Sequence, residues 1–157
     1  MKKIDITALL IHIIAAELVG ALSALFAGGF TGLYAIIKQP PLSPPPAVFP
    51  IVWTILYALM GASAYIIFAQ ETSSRKQHIA VGLYAIQLTV NFLWSIIFFR
   101  FEAFFLAALT AVLLAFLVAA MVFAFSKVSK IAALINLPYL AWSLFAAYLA
   151  LGVWILN

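Results

Sequence analysis

The chain contains no cysteine and very little charge: four acidic and eight basic side chains among 157 residues. Without cysteine there is no disulfide framework, no thiolate metal site and no cysteine nucleophile. The few remaining polar groups form no Ser/His/Asp order, no carboxylate pair, no metal-ligand cluster and no phosphate-cradling glycine loop, so conventional hydrolytic, metal and phosphoryl-transfer chemistry is set aside and the catalytic residues, if any, are unknown. Hydrophobic residues make up 68% of the chain and charged residues 8%, with a mean hydropathy of +1.24. Water is not the solvent for most of such a chain. A net charge of +4 would suggest nucleic acid in a soluble protein, but here the basic residues sit at the ends of apolar runs, which argues for no nucleic-acid partner.

Apolar runs near residues 6–27, 47–70, 79–99, 103–125 and 131–156 are each long enough to cross a hydrocarbon layer about 30 Å thick at roughly 1.5 Å per residue. The sequence therefore predicts an all-α polytopic membrane protein, a single domain over residues 1–157 built as a bundle of five transmembrane helices. The first run follows Lys2 and Lys3 as a signal peptide would, but it is long and lacks a small-residue cleavage motif, so it reads as a permanent helix. Lys2, Lys3, Arg75, Lys76, Lys127 and Lys130 fall on one side of the predicted bundle, and Lys38 and Arg100 on the other. For a chain placed in a bacterial cell membrane, the positive-inside rule then predicts a cytoplasmic N-terminus.

The first connection is the only long one. Gly28, Gly29 and Gly32 open it, and Pro40, Pro41, Pro44, Pro45 and Pro46 stiffen it, which predicts a structured, proline-rich lid between the first two spans. Gly20, Ala24 and Gly28 form a small-residue ridge on the first span, expected to serve helix packing.

In the third span Tyr84, Gln87, Asn91, Trp94 and Phe98 project within roughly 80° of one another at about 100° per residue. Amides facing lipid cost several kcal/mol, so Gln87 and Asn91 should look inward, either as interhelical glue or as ligand groups. The second span adds Phe49, Trp53, Tyr57 and Met60, and the fifth adds Tyr139, Trp142, Ser143 and Ala146. Convergence of these three stripes would enclose an aromatic cavity suited to a flat, largely apolar ligand. Glu17, near the middle of the first span, should face protein, as a cross-helix carboxylic acid or a proton or cation site. Pro138 is expected to kink the fifth span or to mark a first turn. His12 and His78 lie near the water boundary and are poor axial-ligand candidates.

Pro44-Pro45, Val48-Phe49-Pro50, Trp53 and Leu56-Tyr57, followed by Tyr84, Gln87-Leu88, Asn91, Trp94 and Phe98-Phe99, and then Leu137-Pro138-Tyr139-Leu140-Ala141-Trp142 and Phe145-Ala146, together resemble the translocator protein family. That family is also known as TspO/MBR, the tryptophan-rich sensory proteins or the peripheral-type benzodiazepine receptors. The resemblance implies a five-helix bundle, often a homodimer, that binds porphyrins such as protoporphyrin IX and haem, with a sensory, regulatory or transport role in tetrapyrrole metabolism. It implies Trp53, Trp142 and Asn91 as pocket residues, to which the stripes add Gln87, Phe49, Tyr57, Trp94, Phe98, Tyr139 and Ala146. No cofactor is required and no metal site is expected, because a free-base porphyrin is itself the ligand and needs no axial residue.

Two alternatives accompany this reading: a photo-oxidative, porphyrin-degrading enzyme, and a small proton-coupled transporter using Glu17. The chain departs from the family pattern at Leu33 and Leu42, where tryptophans are usual, at Pro46-Ala47, where an Arg-Trp pair is usual, and at Thr110, where an acid is usual. The Gly152-Val153-Trp154-Ile155 segment lacks the Tyr-Lys/Arg pair of the steroid-associated motif, which argues against cholesterol as ligand.

Overall fold

The computed structural model describes residues 4–28, 31–70 and 74–157. Lys2, Lys3 and Gly29 lie outside the described residues. Among the described residues seven α-helices follow one another: α1 (Ile6–Ala27), α2 (Thr31–Ile36), α3 (Val48–Phe68), α4 (Arg75–Ser95), α5 (Phe104–Ser126), α6 (Lys130–Ile135) and α7 (Leu137–Leu156). A π-helical turn, Ile96–Arg100, prolongs α4. Five segments are long and apolar enough to cross a membrane: α1, α3, α4 with its π turn, α5, and α6 together with α7. The five predicted spans are therefore present.

Local chemistry explains where they begin. Asp5 caps α1 by accepting from the Ala8 amide at 3.0 Å, Ser74 caps α4 through Gln77, and Ser129 caps α6 through Ala132. Each satisfies an amide that the first helical turn leaves unpaired. Gly28 ends α1 in the left-handed conformation at φ 80° and bonds back to Leu25, so it is a helix cap, not part of the expected packing ridge. Pro138 sits in the first turn of α7, where its missing N–H costs nothing. The break falls at Asn136, which is fully buried and donates to the Ala132 carbonyl at 2.8 Å.

α1 packs along α3, α3 meets α6, and α5 lies between α4 and α7; α4 and its π turn close the ring against α1. The spans thus follow the circular order first, second, fifth, fourth, third. At the end carrying α6, Met60, Ile67, Ala80, Val118, Met121, Phe125 and Ala132 form a closed core. α3 and α1 are brought together by Gly61, where an added Cβ would collide with the backbone of His12 and Ile13. At the opposite end α3 and α7 touch much less, and the proline-rich loop covers the gap.

That loop is tied down at several points. Asn157 accepts from the Lys38 amide at 2.9 Å and donates to the Lys38 carbonyl at 3.0 Å. Tyr148 donates to the Pro41 carbonyl at 2.8 Å and Tyr34 to that of Pro44 at 2.6 Å. Gly152 leaves room for the Pro40 ring. Burial holds the Tyr34 phenol above its ordinary pKa. Leu33 and Ile37, on and just after α2, pack against Phe98, Ala107 and Val153, whereas Leu42 is 82% exposed with φ 67°.

Candidate ligand site

The hollow lies in the loop-end half of the bundle. Its larger part, about 250 Å³, is bounded by α1, α3 and α4 and lined by Glu17, Gly20, Ala21, Ser23, Ala24 and Ala27, by Phe49, Pro50, Trp53, Thr54 and Tyr57, and by Asn91, Trp94, Ser95 and Phe99. Ala21, Ala24, Pro50 and Thr54 are all exposed, which marks the open side. A second space of about 40 Å³ lies under the loop, between Tyr34, Gln39, Trp142, Ala146, Leu149, Ala150 and Val153 on one side and Phe98 on the other. Phe49, Trp53, Trp94 and Phe99 border both spaces. They form an aromatic partition.

The ring geometry accounts for its coherence. Phe49 meets Tyr34 edge-on at 5.3 Å and Trp142 edge-on at 6.0 Å, and Trp53 meets Tyr57 at 5.7 Å and Tyr139 at 6.2 Å. Trp94 meets Phe98 at 5.3 Å and Phe99 at 6.1 Å. Such edge and tilted contacts suit the ring quadrupoles better than face-to-face stacking. Gly20 admits the Tyr57 ring against α1, since a Cβ there would overlap it.

The polar groups divide into those already used and those still available. Asn91 donates to the Tyr139 hydroxyl at 3.3 Å, that hydroxyl donates to Gln87 Oε1 at 2.7 Å, and Gln87 Nε2 points to Met60 Sδ at 3.8 Å. This one-directional chain joins α3, α4 and α7 in the closed part of the bundle. Gln87 and Tyr139 are fully buried and line neither space. Trp94 spends its indole N–H on the Ala107 carbonyl at 3.0 Å, and Ser23 its hydroxyl on Phe92 at 2.8 Å. Trp142 lines the space under the loop, and its Nε1 is buried without a hydrogen-bond partner among the described residues.

The ten residues expected at the site are therefore distributed. Phe49, Trp53, Tyr57, Trp94 and Asn91 line the larger space, while Phe98, Trp142 and Ala146 join Phe49, Trp53 and Trp94 around the smaller one. Asn91 and Trp142 face different compartments across the partition. The first span contributes more than its small-residue spacing suggested: Ala24 borders the cavity, and Gly20 lines it while making room for the Tyr57 ring. Glu17 makes no cross-helix hydrogen bond among the described residues and lines the cavity instead. His12 is occupied, with Nδ1 2.8 Å from the Ala8 carbonyl and its ring against Tyr65 and Phe68. Thr54 and Ser95 were not singled out in the sequence, and Pro50 and Phe99 entered only as members of the family motifs, not as site residues; Thr54 and Phe99 each follow a stripe residue by one position and carry no period of their own.

Residues 10–155 match the TspO/MBR family. The chain is similar to the tryptophan-rich protein TspO of Chlorobaculum tepidum, 36% identical over 79% of this chain and 78% of that protein. Protein CrtK of Rhodobacter capsulatus is 31% identical over 98% of this chain and 94% of its own, and the translocator protein of Ovis aries 34% identical over 81% and 82%. A family match over nearly the whole chain, on a five-span bundle with an aromatic hollow beneath its first loop, leads to one conclusion: this chain is an integral membrane protein of the TspO/MBR family.

Proposed function

We propose that this protein binds porphyrins, protoporphyrin IX and haem among them, and similar planar apolar molecules in the hollow beneath its proline-rich loop, in a sensory, regulatory or transport role in tetrapyrrole metabolism. The observation that carries this reading is the partition of Phe49, Trp53, Trp94 and Phe99, which presents aromatic surface to both spaces. A flat π-system lying against it gains dispersion and ring contacts without a metal ligand. Among the described residues no group of three His, Asp or Glu is placed to hold a metal ion.

At about 250 Å³ the larger space is slightly below the roughly 300–1,000 Å³ of drug-sized sites. A macrocycle therefore requires Phe49 and Trp53 to turn and join the two compartments. In that joined cavity Trp142 Nε1 gains the acceptor it lacks, and Trp53 supplies the stacking face.

Arg75, Lys76, Lys127 and Lys130 belong to the end opposite the loop, which supports a cytoplasmic N-terminus and a loop facing outward in a bacterial cell membrane. A homodimer is part of the same proposal, and cross-linking in native membranes tests it.

The binding test is a titration with protoporphyrin IX of the protein in lipid nanodiscs. The expected result is saturable binding that weakens at least about tenfold in the Trp53→Phe, Trp142→Phe double variant, since stacking losses of 1–3 kcal/mol correspond to roughly that factor. Unchanged affinity removes both indoles from the site.

A further inference from the structure

We propose that the larger cavity also takes apolar organic cations, aromatic molecules bearing a protonated amine, with Glu17 as their counter-ion. This rests on the reading of that cavity as a ligand site, but assigns it a second chemical class.

The argument begins with position. Glu17 lies near the middle of α1, on the stripe Glu17, Gly20, Ala21, Ala24 and Ala27 that this helix turns to the cavity. A carboxyl group at such depth is costly when charged and unpaired, and here no hydrogen bond or ion pair to it exists among the described residues. Packing therefore does not explain it. A glutamine or leucine would fill the same volume at lower cost to membrane insertion.

The surroundings fit one kind of partner. Among the described residues no Lys, Arg or His lines the cavity, so none of them neutralises the acid there. Five aromatic rings, Phe49, Trp53, Tyr57, Trp94 and Phe99, form the opposite walls, and ring faces attract cations while stabilising apolar bodies. Thr54 and Ser95 add hydroxyls able to accept from an ammonium group. A protonated amine set between Glu17 and the rings satisfies the carboxylate in a site of low dielectric, where such pairing is strong. The open side past Ala21 and Ala24 admits a ligand from the lipid phase.

The test uses N,N-dimethyl-1-naphthylmethylamine, protonated at pH 7, and its uncharged isostere 1-isobutylnaphthalene. Both are titrated against the protein in phosphatidylcholine nanodiscs, with empty discs subtracted. The amine should bind at least about tenfold more tightly than the isostere, a margin typical of a desolvated charge contact. Glu17→Gln should erase that preference, bringing the two probes to the same affinity, whereas Glu17→Asp should retain it. Equal affinity of the two probes for the wild-type protein, or an undiminished amine preference in Glu17→Gln, overturns the proposal. Protoporphyrin IX titrated in parallel separates the two claims: loss of porphyrin binding with the amine preference intact contradicts only the tetrapyrrole reading.

Discussion

The two ends of this bundle are built from similar residues and yet behave as opposites. At the α6 end, Met60, Ile67, Val118, Met121 and Phe125 are each no more than 1% exposed, and α3 and α6 meet directly. At the loop end α3 and α7 diverge, and aromatic rings line a hollow that they do not fill. The difference lies in what each end does with its large side chains: flexible Met60 and Met121 fit irregular gaps among the branched aliphatics, whereas rigid indole and phenyl rings stand against one another and leave space between. Stability and binding are thereby assigned to different halves of one small protein.

The amide network marks the boundary. Asn91 faces the hollow, but its amide is anchored to Tyr139 and through it to Gln87, which belongs to the closed half. The same chain of bonds fixes the side chain that a ligand would meet and joins three spans.

The sharpest way to break this comparison is to add volume to the closed half. Ala80 is fully buried there, so Ala80→Leu should cost about 1–3 kcal/mol by overpacking, seen as a lowered thermal unfolding midpoint in detergent. An unchanged midpoint would mean that this end is not tightly packed. A smaller effect is expected at the boundary. Tyr139→Phe removes the hydroxyl shared by Asn91 and Gln87, and should cost roughly 0.6–1.7 kcal/mol, the range of polar contacts between membrane helices; it should also weaken porphyrin binding by freeing Asn91. Least of all, Asn157→Ala releases the Lys38 backbone from both of its hydrogen bonds with a stability change within about 0.5 kcal/mol. The Lys38 amide should nevertheless exchange faster with deuterium, and an amide that stays protected would show that the loop is held elsewhere.

Much of this was legible in the chain. Five apolar runs separated by short polar connections specified the spans, because a lipid solvent requires both length and continuous apolarity. The inward direction of Gln87 and Asn91 followed from the cost of exposing an amide to lipid. The amides' partner was less accessible: Tyr139 appeared only as one member of an aromatic stripe, and its distance from Gln87 depends on the circular order of the spans, which short connections do not determine.

The first span was the least legible. Gly20 and Ala24 at four-residue spacing describe a packing ridge and a cavity wall equally well, and only the neighbour's shape decides between them. Gly20 turned out to accommodate Tyr57, Ala24 borders empty space, and Gly28 is a cap. The division of the hollow by Phe49 and Trp53 also depends on ring orientation, which periodicity does not specify.

The same alanine-to-leucine change, moved to the other half, gives the most direct measurement. Ala24→Leu should narrow the larger space and weaken protoporphyrin IX binding at least about tenfold, while leaving the unfolding midpoint unchanged or raised because the added carbons enter a void. Undiminished porphyrin affinity in a folded Ala24→Leu protein would contradict the assignment of ligand binding to this hollow.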